Sequence, residues 1–171
     1  SLNANTTASY STAVGYLSAP ANTTGEVVAI GAFALQSNTT GNQNTAVGVG
    51  AIGSNTTGSY NVALGRSALT SNTTGSESTA IGYQAAYSQT TSGGGDNTAV
   101  GHTALYSNQT GTYNTAVGRQ ALYANTGSYN TGIGRAALQS NTTASNNTAV
   151  GYQAGYSNTT GAGTYGSVYI G

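Results

Sequence analysis

Gly15, Gly31, Gly48, Gly65, Gly82, Gly101, Gly118, Gly134, Gly151 and Gly171 recur at intervals of 16, 17, 17, 17, 19, 17, 16, 17 and 20 residues. Nine of the ten follow a small residue and then an aliphatic one, as in Asn44-Thr45-Ala46-Val47-Gly48. The last, Val168-Tyr169-Ile170-Gly171, keeps only the second half of the pattern. A period this short means one supersecondary unit stacked on copies of itself. Roughly 17 residues are too few for a βαβ crossover. They suit one coil of a parallel β-roll or β-solenoid, each coil rising by a strand spacing of about 4.8 Å. The expectation is an all-β fold: one repeat domain over residues 1–171, of nine to ten coils, read as a segment of a longer fibre.

Alignment on the glycines turns the repeats into columns. One position before glycine stand Val14, Ile30, Val47, Leu64, Ile81, Val100, Val117, Ile133 and Val150. Three before stand Thr12, Val28, Thr45, Val62, Thr79, Thr98, Thr115, Thr131 and Thr148, all β-branched. Residues two apart share a face of a strand, so this face is expected to be at least half buried. The opposite face carries Ala13, Ala29, Ala46, Ala63 and their equivalents, small enough for another backbone to approach. A second short strand is expected at the Ala34-Leu35, Ala51-Ile52 and Ala68-Leu69 pairs, followed by a turn such as Ser37-Asn38-Thr39-Thr40-Gly41. Each coil buries two or three large apolar side chains, at roughly 1.5–3 kcal/mol each, and the alanine face is left without a partner. Association of several rolls through that face is the expected remedy.

Composition narrows the function classes. Of 171 residues only 4% are charged, with 3 Arg and 3 acids, no Lys and no Cys. Zero cysteine removes any disulfide framework or thiolate metal site, and no apolar run approaches the roughly 20 residues of a membrane span. Without a basic surface, nucleic acid is not expected as a partner. Acid–base catalysis needs titratable groups within mutual reach, and this chain offers one histidine, His102, and three carboxylates in separate coils. No enzymatic activity, cofactor or metal is expected.

The units Asn97-Thr98-Ala99-Val100-Gly101 and Ser78-Thr79-Ala80-Ile81-Gly82 resemble the head repeats of trimeric autotransporter adhesins, the YadA-type heads. Similar Asn-Thr-Ala-Val-Gly-Tyr-Gln-Ala repeats occur in the fibres of bacteriophages and other large viruses, and residues Asn147 to Ala154 read that way letter for letter. The likeness spans essentially the whole chain, although adhesin head repeats are typically shorter and lack the inserted Asn-Thr-Thr-Gly turn. It implies a left-handed roll, a homotrimer, an extracellular place on a cell or virion surface, and attachment to a host receptor or glycan. Handedness and the number three come from the resemblance alone. The alternative is a structural subunit of an extracellular filament stacking end to end through its open coils. An ice-binding solenoid is a third reading, set back because the adjacent threonines fall in turns rather than on alternate strand positions.

The scarce charges fall in two columns. Glu26, Glu77 and Asp96 lie five positions before their glycines, in a stripe with Tyr10, Tyr60, Tyr113 and Tyr129. Arg66, Arg119 and Arg135 lie just after theirs, in a stripe with Tyr16, Tyr83, His102 and Tyr152. These stripes are either wet corners of the roll, an aromatic and cationic platform for sugar rings, or acid and arginine edges that pair between protomers. Asn5, Asn22, Asn38, Asn55, Asn72, Asn108, Asn141, Asn146 and Asn158 match the Asn-x-Ser/Thr glycosylation pattern, but asparagine there is equally a turn residue. The irregular stretch 88–96, with Gly93, Gly94 and Gly95, lengthens one turn and reads as a contact loop or as a tolerated slip in repeat copying.

Overall fold

The computed structural model describes residues 1–90, 95–158 and 166–171 of the chain. Each glycine-aligned unit contributes one short strand: β1 Thr12–Val14, β2 Val27–Ile30, β3 Asn44–Val47, β4 Val62–Leu64, β5 Thr79–Ile81, β6 Thr98–Val100, β7 Thr115–Val117, β8 Thr131–Ile133, β9 Thr148–Val150 and β10 Val168–Ile170. They form one ten-stranded sheet in chain order, every pairing parallel, giving a β-solenoid of about nine turns. Register follows the columns: Thr45 pairs with Val62, Ala46 with Ala63 and Val47 with Leu64. The long interval between Gly82 and Gly101 leaves Thr79 opposite Thr98, so the extra residues are absorbed outside the sheet.

The glycine column shows why its residue type is fixed. Gly65 has φ +135°, and a Cβ there would lie 2.5 Å from the Gly82 carbonyl oxygen of the next coil. Glycines stack on glycines with no room for a side chain.

Two expectations are corrected. First, the faces of the sheet are reversed. Ala29, Ala46, Ala63, Ala80, Ala99, Ala116 and Ala149 are fully buried, while Val14, Ile30, Leu64, Ile133 and Val150 are exposed. The inward alanines meet a buried layer of Leu35, Ile52, Leu69, Leu105, Leu122 and Leu138. At Gly132, the one glycine in the alanine column, a Cβ would sit 3.1 Å from Leu122 Cγ. The core is thus one leucine deep, and a methyl is what fits opposite. The alanine face is the interior of the roll and cannot be where copies associate.

Second, the alanine–leucine segment is not a strand. Leu35, Ile52, Leu69, Leu105, Leu122 and Leu138 take φ near +50°, between +49° and +53°, a left-handed conformation that breaks strand geometry. That conformation costs roughly 1–2 kcal/mol, an amount that full burial of a leucine, at about 1.5–3 kcal/mol, offsets. Coil-to-coil hydrogen bonds persist through it: Leu35 N donates to Ala51 O at 3.0 Å and Ile52 N to Ala68 O at 3.0 Å.

Two asparagine ladders close the core. In the Asn-Thr-Thr turns, Asn55 Nδ2 donates to Asn38 Oδ1 at 2.7 Å and to Gly58 O at 2.9 Å, and Asn72 Nδ2 donates to Asn55 Oδ1 at 3.1 Å. A second ladder runs at the start of the strands, where the backbone of Asn61 donates to Asn44 Oδ1 at 2.9 Å and that of Asn114 to Asn97 Oδ1 at 2.8 Å. Among the described residues no buried side-chain polar atom lacks a partner, as the cost of orphaning such groups demands.

Candidate interaction surface

Because the alanines turn inward, the outer face of the sheet carries the threonine and aliphatic columns. It runs the length of the roll, about 43 Å for nine steps of 4.8 Å. Its aliphatic column is solvent-accessible throughout; Val14 is 57% exposed and Leu64 47%. A monomer seldom presents so continuous an apolar strip.

The two charged stripes border this face. One lies five positions before each glycine and the other directly after it. Tyr10, Tyr60, Tyr113, Tyr129, Tyr16, Tyr83 and Tyr152 are exposed, as are Glu77, Asp96, Arg66, His102, Arg119 and Arg135, with Glu26 half-buried. All six formal charges of the chain therefore flank one face. A side-chain hydrogen bond with Asp96, and then its charge, hold the Glu77 carboxyl above its ordinary value. The Asp96 charge, followed by that of Tyr129, likewise pushes Tyr113 up. These are the marks of like groups crowded one strand spacing apart.

The aromatics stack on one another along the roll. Tyr83 and His102 lie 5.1 Å apart between centroids, and Tyr113 and Tyr129 lie 5.0 Å apart. Arg135 sits over the Tyr152 ring at 5.4 Å. Within each pair the rings cover one face of each other, so these stretches of the stripes offer sugars fewer open faces than the columns alone suggest. The described residues also hold a ladder that the column reading did not single out: Tyr87, Tyr106 and Tyr123, with centroids 5.1 Å apart and planes within 7°. Its signal was available, since all three stand five positions after a glycine in consecutive coils. Loss of water around Tyr106, then its neighbours Tyr123 and Tyr87, raise the Tyr106 hydroxyl above its usual range.

The glycosylation reading of Asn38, Asn55 and Asn72 meets a physical obstacle. All three are fully buried, and each amide nitrogen is engaged within the ladder, so the folded coil has no room for a glycan on it. In the irregular stretch, Gly93 and Gly94 lie outside the described residues. Gly95 packs against the preceding coil, where an added Cβ would come 2.5 Å from Ser76 O. Among the described residues no group of three or more His, Asp or Glu could hold a metal ion, and no helix is long and apolar enough to cross a membrane.

No protein-family model, curated protein or solved structure matches the chain.

Proposed function

We propose that this chain is the attachment or shaft segment of a trimeric surface fibre, of the adhesin-head or viral tail-fibre kind, without enzymatic activity. The observation that carries the reading is the outward sheet face: an apolar and threonine strip of ten rungs, bordered by every charge the chain has. Burial of such a strip between copies supplies what a one-leucine-deep core supplies sparingly. In this role the roll acts as a stiff extracellular spacer that also carries contact with a host receptor or glycan.

Sedimentation velocity tests it. The chain is expected to run as a discrete trimer, and Val47→Lys with Leu64→Lys, both on the outer face, to yield folded monomers with unchanged far-ultraviolet dichroism. A parent chain that sediments as a monomer sinks the proposal. Glycan-array binding by the intact oligomer would add the attachment role, and a null result would leave the spacer. A second reading is the end-to-end filament, since the glycine-on-glycine stacking that joins every coil to the next could continue across a junction between copies. Indefinite polymers instead of trimers would mark it.

A further inference from the structure

The two bordering stripes carry the same spacing pattern. Numbering coils by their glycines, from Gly15 as the first, the acids Glu26, Glu77 and Asp96 occupy coils two, five and six. The arginines Arg66, Arg119 and Arg135 occupy coils four, seven and eight. The steps are identical, three coils and then one, and the arginine set is displaced by two coils. Sliding one stripe along the other, a displacement of two pairs all three acids with all three arginines, and every other displacement pairs one or none.

We infer that neighbouring copies lie parallel with the acidic edge of one against the arginine edge of the next, offset by two coils, so that Glu26 meets Arg66, Glu77 meets Arg119 and Asp96 meets Arg135. The inference rests on the proposed association and specifies its geometry. Antiparallel packing of two outer faces brings each stripe onto its own copy, acid on acid, which charge repulsion opposes. Within a single roll Glu77 and Asp96 crowd each other, as the upward displacement of Glu77 records. Arg119 and Arg135 stand one coil apart on the other border. A partner offset by two coils sets one like-charged couple against the other. The displacement amounts to about 9.6 Å along the roll, and the stripes lie about 20 Å apart, six residues at roughly 3.3 Å. A closed ring of copies then requires each roll to incline by about 25° to the ring axis; without that inclination the same contact propagates as an open screw.

The chain contains no cysteine, so introduced thiols report contacts cleanly. Glu77→Cys with Arg119→Cys, treated with a short bis-maleimide, is expected to give chain-to-chain products at least tenfold faster than the same-coil combination Glu77→Cys with Tyr83→Cys. The reverse order overturns the two-coil offset and leaves association standing. Slow reaction of both in a sedimenting oligomer overturns the edge contact itself. Slow reaction of both in a monomer overturns the proposed function instead. Independently, changing Arg66, Arg119 and Arg135 to Glu is expected to weaken association at least tenfold. Adding Glu26→Arg, Glu77→Arg and Asp96→Arg restores it. Unchanged association of the first variant, or failure of the second to recover while its dichroism stays native, refutes the pairing.

Discussion

Replacing one nitrogen by one oxygen in the turn ladder, Asn55→Asp, tests whether the buried asparagines hold the coils together. Asn55 Nδ2 donates to Asn38 Oδ1 at 2.7 Å and to Gly58 O at 2.9 Å. In the variant an acceptor faces these two acceptors. Gly58 O keeps a donor in Asn44 Nδ2, at 2.7 Å, but Asn38 Oδ1 is orphaned, at a cost of about 1–3 kcal/mol. The carboxylate keeps only the bond from Asn72 Nδ2 in a fully buried position, and an uncompensated buried charge costs about 3–5 kcal/mol. Asn55→Asp should therefore lose about 4 kcal/mol at pH 7, a large share of the 5–15 kcal/mol typical of a domain. Asn55→Ala, which orphans the same oxygen without a charge, should lose about 1–3 kcal/mol. Asn146→Asp, on the exposed stripe, should lose under about 0.5 kcal/mol. The pH sign follows from burial. The carboxyl of the folded variant titrates above its unfolded value of about 3.9, so the folded state binds the extra proton. The variant's stability relative to the parent falls as pH rises through that window, by up to about 1.4 kcal/mol per unit. Urea denaturation followed by circular dichroism at fixed chain concentration, pH 4 to 8, reads both effects. A flat pH profile, or Asn55→Asp no worse than Asn55→Ala at pH 7, would refute the ladder's structural role.

Other perturbations have equally definite outcomes. Gly65→Ala forces a Cβ to 2.5 Å from the next glycine's carbonyl oxygen at φ +135° and should lose about 2–5 kcal/mol in urea melts. By contrast, Gly50→Ala, where the nearest atom is 3.7 Å away at φ +67°, should lose only about 1 kcal/mol. Leu69→Ala empties a fully buried position of the single leucine layer and should lose about 2–5 kcal/mol by the same measurement. Asp96→Asn should bring the Glu77 carboxyl back down toward its ordinary value by removing the carboxyl–carboxyl hydrogen bond and then the charge that raise it; a proton NMR titration of Glu77 that does not move would contradict those causes.

The strands and their register were legible because the glycine column has a steric origin: coils that stack glycine on glycine carry every other position into line. Orientation of the sheet was not legible from hydrophobicity, since the more apolar face points outward. What decides it is volume. Leu122 reaches to within 3.1 Å of where a Cβ at Gly132 would stand, so opposite a leucine the inward column has no room for Thr or Val; the larger Tyr169 fills this column only in the last coil, opposite Gly155. The size match of the alanine and leucine columns was the available signal. The absent second strand was hidden because leucine at positive φ is disfavoured in isolation, and only burial in the stack makes it stable. The turn asparagines were legible as local hydrogen bonders, as in Asn38 Nδ2 to Gly41 O at 2.9 Å. Their coil-to-coil bonds needed the stacking first. Both charged stripes were legible as columns, but the mutual stacking of their rings followed only from a spacing near 5 Å.

A roll of near-identical coils has a difficulty that a globular domain does not. In the proposed association, sliding one copy along another by a whole coil returns nearly the same apolar contacts, so burying the strip would favour association without fixing its register. The inward columns cannot break the degeneracy, because alanine, glycine and asparagine repeat with little change from coil to coil. The outer aliphatic column cannot either, since Val, Ile and Leu differ by little more than a methyl group. Only columns that vary strongly along the axis carry positional information, and among those bordering the outer face these are the two that hold the six charges. An exposed ion pair contributes little stability, about 0–1 kcal/mol. Specificity, however, is a difference between registers, and the matched displacement gains three pairs where the others gain one or none. In the proposed assembly, charges too few to hold the roll together are enough to say where its neighbour stops.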